Sequence, residues 1–274
     1  MNFQPETITS SILRLELPSH TFPPFSHTNS YLICSQGQAV LVDPGFYEPQ
    51  SLERVLETLK ETQCYLEAIL LTHAHPDHQE GISWVEAAFP EIRVYVHKLE
   101  KDLVKARNIQ ILRTAFLVGG LTLEVLFTPG HSPGHVSFYL PSRKVALVGD
   151  VVAGYGSTWI GVPDGNLNDY FASLETLKNL DLAYLAPGHG QVINQPYKKL
   201  TEVKEHRLKR LEQVLAALES HLSLDELRTQ VYPDLKPELQ RAANSSLLAL
   251  LDKLEQDLRV RNFGVSTLGP FGRI

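Results

Sequence analysis

Residues 68–78 read AILLTHAHPDH, so three histidines and an aspartate directly follow an apolar run. The apolar run predicts a buried strand, and Asp77 and His78 follow in a turn that leads into the next helix. His73 and His75 are two residues apart, so in an extended chain their side chains point to the same side. Imidazole nitrogen and carboxylate oxygen are ligands that zinc accepts and that iron and manganese sites also use. The stretch therefore predicts a cluster of metal ligands at the end of a strand.

The same arrangement recurs at three further apolar runs. LEVLFTPG (123–130) is followed by His131, KVALVG (144–149) by Asp150, and LAYLAPG (182–188) by His189. Four separate strands thus each carry ligand-type residues at their carboxyl ends. Together they supply seven potential ligands, which is too many for one tetrahedral zinc ion and suits two metal ions that share a bridge.

Length and composition exclude several other classes of protein. The chain has 274 residues, 43% of them hydrophobic and 20% charged, which predicts a soluble globular protein with one large domain or two smaller ones. No apolar run approaches the ~18 residues of a membrane-spanning helix, and the first residues lack the pattern of a signal peptide. With only two cysteines, the chain is expected to be cytoplasmic. A net charge of −6 argues against a general electrostatic grip on nucleic acid.

The chain divides into two parts by pattern. Residues 1–197 alternate strands and helices and predict an α/β catalytic domain of packed layers. Residues 198–274 predict three helices and a short β tail, a small, mainly helical domain of winged-helix type, which we expect to pack beside the metal-binding edge. The first of these helices groups basic side chains that we interpret as a solvated face, namely His206, Arg207, Lys209 and Arg210.

The motifs THAHPDHQEG, TPGHSPGH, VGD and APGHG resemble the signature of the metallo-β-lactamase superfamily, and the resemblance covers residues ~10–195. It implies an αββα sandwich with two divalent metal ions at one edge, most simply zinc, with iron or manganese as alternatives. It also implies a division of ligands: His73, His75 and His131 for the first metal, Asp77, His78 and His189 for the second, and Asp150 between them.

Two further residues are expected to support the ligands without binding metal. Asp43, at the end of the strand AVLVD, matches the aspartate of the family that lies near the site, where a carboxylate can fix the tautomer of a histidine. His135, four residues after His131, we interpret as structural or as a partner of a ligand. His97, at the end of RVYVH, is interpreted as a core or surface residue.

The metal pair implies a hydrolytic mechanism. A water held between two divalent cations loses a proton near neutral pH, and the resulting hydroxide attacks a carbonyl or phosphoryl centre. Asp77 is expected to hold or accept the proton of that water, as its counterpart does in the family. The segment 154–170, which follows Asp150, is either a loop that shapes the substrate pocket or a plain connection.

Three functions remain open. The helical tail favours the lactamase-like endoribonucleases of this superfamily, which cleave phosphodiesters in single-stranded RNA. The alternative is a thioesterase that resembles glyoxalase II, a hydroxyacylglutathione hydrolase, acting on a small-molecule ester or thioester. The third is a metal-binding protein without catalysis. A ribonuclease predicts an open groove lined by lysine and arginine, and a thioesterase predicts a pocket sized for an acyl thiol. The oligomeric state stays open.

Overall fold

A computed structural model of the chain describes residues 5–266 and 268–273. The first sheet begins with an antiparallel meander and continues with parallel strands. Its seven strands lie in chain order: β1 (Glu6–Thr9), β2 (Ile12–Pro18), β3 (His27–Ser35), β4 (Gln38–Val42), β5 (Tyr65–Leu70), β6 (Arg93–Val96) and β7 (Ile109–Ile111).

The second sheet contains five strands, each beside the next one in the chain, so that the first and the last strand lie at opposite edges. They are β8 (Ala115–Val118), β9 (Leu121–Phe127), β10 (Val136–Leu140), β11 (Val145–Gly149) and β12 (Tyr184–Pro187). The pairs from β8 to β11 are antiparallel, whereas β11 and β12 run parallel. The carboxyl ends of β11 and β12 therefore lie side by side.

The two sheets pack face to face, with helices on the outside. On β11, Val145 and Leu147 join the core between the sheets, whereas Ala146 and Val148 join the core beneath the outer helices. Such alternation arises because successive side chains of a strand point to opposite faces. The helices of the catalytic half are α1 (Pro49–Glu61), α2 (Pro76–Gln79), α3 (Ile82–Ala88) and α4 (Leu167–Lys178). The predicted αββα sandwich is confirmed.

The C-terminal part consists of three helices and a two-stranded sheet, as predicted. These are α5 (Pro196–Ala217), α6 (Leu224–Val231), α7 (Gln240–Gln256), β13 (Val260–Ser266) and β14 (Gly269–Arg273). Ser223 and Glu226 form a complete capping box at the start of α6. Apolar residues of α5 and α7 share one continuous core with α4 and the second sheet. This half therefore packs against the catalytic half without a separating linker.

The proposed division between residues 197 and 198 stays a prediction, and its outer limits at residues 1 and 274 lie outside the described residues. In the part of the chain that the structure describes, no helix combines the length and the apolar character needed to cross a membrane.

Candidate metal centre

The predicted ligands meet at one edge of the sandwich. The loop after β5 carries His73 and His75, the short helix α2 that follows it carries Asp77 and His78, and the loops after β9, β11 and β12 carry one each. Because these strands come from both sheets, the ligand-bearing edge spans the seam between the sheets. Three groups of side chains there bring a ligand atom from each member within 4.8 Å of the others: His73, His75 and His131; His73, His78 and Asp150; Asp77, His78 and His189.

The first group has three converging nitrogen atoms. His75 Nδ1 lies 3.0 Å from His73 Nε2 and 2.9 Å from His131 Nε2. Two ligands on a tetrahedral zinc ion, each about 2.0–2.1 Å from the metal, lie about 3.3 Å apart. The three nitrogens are therefore spaced nearly as ligands of one metal ion would be.

The carboxylate of Asp150 links the third of these groups, Asp77, His78 and His189, to the first. Asp77 Oδ2 lies 3.3 Å from His189 Nε2. Asp150 places Oδ2 3.5 Å from His189 Nε2 and 3.6 Å from His131 Nε2, and its Oδ1 lies 3.4 Å from His78 Nε2. Asp150 thus contacts members of both groups, which is the position that a bridging ligand requires.

One buried atom tests whether this side-chain set fits a metal ion. His78 is fully buried, and its Nδ1 lies 3.0 Å from Asp43 Oδ2, so the ring donates its proton there. The other nitrogen, Nε2, belongs to the cluster and has no hydrogen bond among the described residues, with Asp150 Oδ1 3.4 Å away. A buried polar atom without a partner costs free energy, and a metal ion would satisfy it. The residues present therefore fit a metal.

Two more predicted ligand histidines, His131 and His189, are also held through the nitrogen that faces away from the site. His131 Nδ1 lies 2.8 Å from the carbonyl of Trp159, and His189 Nδ1 lies 2.8 Å from the carbonyl of His27. Each carbonyl accepts the ring proton, which leaves Nε2 free to bind metal. These carbonyl partners were not predicted, because a backbone acceptor leaves no signal in the sequence.

Asp43 and His135 lie beside the predicted ligands. Asp43 accepts hydrogen bonds from the backbone and the hydroxyl of Thr72 at 2.8 and 2.7 Å, in addition to its contact with His78. His135 Nδ1 contacts Thr128 Oγ1 at 3.0 Å, and its Nε2 accepts the backbone N–H of Asp150 at 3.1 Å. Both nitrogens of His135 are thereby occupied, so it can position Asp150 but cannot itself bind metal. His97 stacks on Phe127, 4.8 Å between ring centroids.

The electrostatics favour a neutral His131 in the first group and an ionised Asp77. Burial lowers the pKa of His131 to about 4, so its lone pair is available at neutral pH. Burial alone would raise the pKa of Asp77, but His78 and His189 lower it to about 2. Burial would lower the pKa of His189, yet Asp150 and Asp77 raise it to about 10.

A buried glutamate that the sequence analysis missed joins two of the ligand loops. Glu100 is 1% exposed, and its Oε2 accepts the backbone N–H of Ala74 at 2.8 Å, between the first two ligands. Its Oε1 accepts the hydroxyl of Ser132 at 2.6 Å and the backbone N–H of Gly134 at 2.8 Å. A Cβ at Gly134 would lie 2.3 Å from Glu100 Cγ, so only glycine admits this approach. Glu100 therefore fixes the loop after β5 relative to the loop after β9.

A pocket of about 360 Å³ opens directly onto the ligand cluster. One wall is the segment 20–25 (HTFPPF), where Phe25 stacks on His189 at 5.3 Å between centroids. The opposite wall includes Trp159, whose ring lies 6.4 Å from that of Phe22. No lysine or arginine is among the described residues that line the pocket. Segment 154–170 was interpreted either as a loop that shapes the pocket or as a plain connection. For residues 157–159, the structure favours the loop that shapes the pocket.

The interpretation of the basic cluster on α5 as a solvated face was wrong for one member. Arg207 is only 7% exposed, and its guanidinium donates a hydrogen bond to the carbonyl of Thr158. It lies over the ring of Tyr170, 5.8 Å from the centroid. The charge spacing of the helix could not reveal this, because the acceptor is a carbonyl of the catalytic half.

Comparison with known proteins gives two family matches. The sequence model of the metallo-beta-lactamase superfamily matches residues 23–189, and that of the beta-lactamase associated winged helix domain matches residues 223–265. The chain is 30% identical over 268 residues to a beta-lactamase-like protein 2 homolog of Caenorhabditis elegans, covering 94% of this chain and 88% of that protein. It is 31% identical over 195 residues to an atrochrysone carboxyl ACP thioesterase of Aspergillus fumigatus, covering 70% of this chain and 60% of that protein.

Among solved structures, the fold is similar to a metallo-beta-lactamase family protein of Thermus thermophilus, with a TM-score of 0.82 and 26% identity. That match covers 98% of this chain and all of the other. The family match spans more than half of the chain and includes every predicted ligand. The chain therefore belongs to the metallo-β-lactamase superfamily and carries the winged helix domain associated with it.

Proposed function

We propose that the chain is a dinuclear metal-dependent hydrolase of thioesters whose acyl group is neutral and apolar or aromatic. The observation that carries the substrate class is the pocket beside the ligand cluster, which has aromatic and proline walls and no lysine or arginine among the described residues that line it. The superfamily consists typically of hydrolases, and one relative is named as a thioesterase of acyl groups on a carrier protein.

The proposed ligand roles are those that the family resemblance implies. His73, His75 and His131 would hold one metal ion, Asp77, His78 and His189 the other, and Asp150 both. When bound, two divalent cations polarise the carbonyl under attack and lower the pKa of water. A purely structural site would need four ligands and no opening, whereas seven predicted ligands cluster here and five of them line a pocket. This argues against a metal-binding protein without catalysis.

Asp77 is the residue proposed to move the proton. Its carboxylate lines the pocket, and its low pKa means that it is ionised at neutral pH. It can accept the proton of the attacking water and deliver it to the sulfur of the leaving thiolate, which balances the hydrolysis of a thioester to an acid and a thiol. The backbone carbonyl of Asp77 accepts a hydrogen bond from Thr28 Oγ1 at 2.7 Å, which holds this turn in place.

The pocket favours the thioester over RNA. Proteins that bind single-stranded RNA combine aromatic platforms with a cationic groove, because each phosphate carries a negative charge. This pocket supplies the aromatic rings Phe22, Phe25 and Trp159 but no lysine or arginine for the phosphates, and the carboxylates of Asp77 and Asp150 face it. The ribonuclease interpretation that the helical tail favoured thus has no support in the site.

The same reasoning separates two kinds of thioester. Glutathione carries two carboxylates, and a dedicated site for it requires cationic partners. The lining offers no lysine or arginine among the described residues, and its His189 is a predicted metal ligand. A thioester on a pantetheine-like arm is neutral near the sulfur, so we favour an acyl group carried on such a thiol.

The test is a substrate panel with metal-reconstituted protein. It comprises the benzoyl thioester of N-acetylcysteamine, S-D-lactoylglutathione, bis(p-nitrophenyl) phosphate and a single-stranded RNA. We expect the highest kcat/KM for the neutral aromatic thioester. A His131→Ala variant serves as the control, since it removes a ligand and should abolish the reaction. Cleavage of RNA with no thioester hydrolysis would overturn the proposal.

A further inference from the structure

The segment 158–162 lies between the ligand cluster and the C-terminal domain. On its inner side, the carbonyl of Trp159 accepts the hydrogen bond of His131 Nδ1 at 2.8 Å. Thr158 and Trp159 also line the pocket. Any shift of this segment therefore changes both the orientation of a proposed ligand and the shape of the pocket.

On its outer side, α5 holds this segment through Arg207. The guanidinium donates to the carbonyl of Thr158, one residue before the carbonyl that holds His131. A guanidinium that is 7% exposed is costly to bury unless it is paired. The guanidinium stacks over Tyr170 and donates to the segment, while its Nε has no hydrogen-bond partner among the described residues, so the bond to Thr158 is the hydrogen bond that ties Arg207 to the segment.

Helix α7 holds the same segment at two more points. Trp159 Nε1 donates to the carbonyl of Ala242 at 3.2 Å. Ser245 Oγ donates to the carbonyl of Val162 at 2.6 Å, and the backbone N–H of Val162 donates to the carbonyl of Ser245 at 3.3 Å. At Gly161 a Cβ would lie 2.4 Å from Ser245 Oγ, so the helix and the segment approach as closely as glycine permits.

We propose that the C-terminal domain is a positioning element of the site, which acts through Arg207 and Ser245 on the segment 158–162. By fixing this segment, the domain orients His131 through the Trp159 carbonyl and sets the Trp159 ring as a pocket wall. The inference rests on the ligand role of His131 proposed above. It assigns the domain an intramolecular task in place of nucleic-acid binding.

The expected effect on metal binding is moderate. Removing the direct partner of a ligand histidine typically costs about 10–100-fold in metal affinity. Arg207 acts one peptide further away, so Arg207→Met should weaken zinc binding by about three- to tenfold. Because Trp159 is also released, KM for the aromatic thioester should rise more than kcat falls.

Arg210 offers a matched control on the same helix. Its guanidinium donates to the carbonyl of Val231 at 3.0 Å and lies 4.5 Å from the ring centroid of Tyr232. It thus makes the same two kinds of contact as Arg207, but within the C-terminal domain. Arg210→Met should lower the melting temperature while leaving zinc affinity unchanged.

The position of the pocket wall can be measured by fluorescence. The chain has two tryptophans, Trp84 and Trp159, so a Trp84→Phe background leaves Trp159 as the single reporter. In that background, Arg207→Met should shift the emission of Trp159 to longer wavelength as the ring loosens and meets water. Ser245→Ala, a smaller change, should shift it in the same direction.

Both readouts, zinc titration against a chromophoric chelator and Trp159 emission, need no substrate. A failure of the thioester assay therefore leaves the inference testable. The inference is supported if Arg207→Met changes both readouts and Arg210→Met changes neither. It is overturned if the two variants have equal effects. If Arg207→Met does not fold, Ser245→Ala decides, and an unchanged Trp159 emission in that variant overturns the inference.

Discussion

Replacing Glu100 by glutamine tests whether one buried carboxylate holds two ligand loops in register. Glu100 accepts one hydrogen bond on Oε2 from Ala74, and two on Oε1 from Ser132 and Gly134. Glutamine has nearly the same shape but only one oxygen. Its amide NH₂ group must therefore face one of the two loops. The groups of that loop that faced the carboxylate are themselves hydrogen-bond donors, so they lose their acceptor.

The magnitude follows from this count of acceptors. If the oxygen stays with Ser132 and Gly134, the backbone N–H of Ala74 is left buried and unpaired, which costs about 1–3 kcal/mol. For a chain of this size, that loss lowers the melting temperature by about 2–4 °C per kcal/mol. If about half of a 3 kcal/mol loss comes from displacement of one ligand loop relative to the other, the free energy of zinc binding weakens by about 1.4 kcal/mol. This corresponds to about a tenfold lower zinc affinity.

The assay is a zinc titration against a chelator of known affinity, together with thermal unfolding of the metal-free protein. Glu86→Gln is the control, since Glu86 is also buried and accepts a backbone N–H, that of Arg107 at 2.6 Å. Glu86 lies on α3, and its hydrogen bond to Arg107 does not involve a ligand loop. We expect both variants to lose stability and only Glu100→Gln to lose zinc affinity. Equal zinc affinities in the two variants would refute the reasoning.

Three further predictions concern the ligands themselves. Purified protein should hold close to two metal ions per chain by elemental analysis; His131→Ala should lose one, and Asp150→Ala should weaken both, so full occupancy in Asp150→Ala would contradict the bridging role. Asp77→Asn should lower kcat by about 10²–10⁴-fold, as loss of a general base does, with a much smaller loss of metal; parallel losses would make Asp77 a simple ligand. Because the raised pKa of His189 keeps that ring protonated at pH 7 without metal, zinc uptake should release protons; calorimetry in buffers of different ionisation enthalpy measures this, and a buffer-independent heat would contradict it.

The sequence predicted the sandwich and the meeting of the seven ligands because both follow from strand geometry. Apolar runs mark strands, and His131, Asp150 and His189 each follow such a run by a short turn. Carboxyl ends of neighbouring strands meet at one edge, so the residues after them converge. The pairing of ligands to particular metal ions came from the family resemblance and stays a proposal.

What escaped prediction depends on partners that have no side-chain pattern. Glu100 binds backbone N–H groups 26 and 34 residues away along the chain, and a sequence does not show where such groups will lie. Arg207 resembled its solvated neighbours on α5 because its partner is the carbonyl of Thr158, far away in the chain. The apolar pocket was missed for the same reason: Phe22 and Trp159 are distant in sequence and meet only after both sheets have packed.

The spread of the ligands along the chain has a consequence for biosynthesis. During translation, His73, His75 and His131 leave the ribosome before Asp150, and His189 leaves later still. A nascent chain therefore contains all three residues of the first ligand group before it contains Asp150 and His189, so one metal ion can bind before the other. Ala242 and Ser245, which hold the wall at Trp159 and Val162, are made after every ligand. The order of synthesis thus leaves the pocket wall as the part that α7 can fix only after all the predicted ligands have been made.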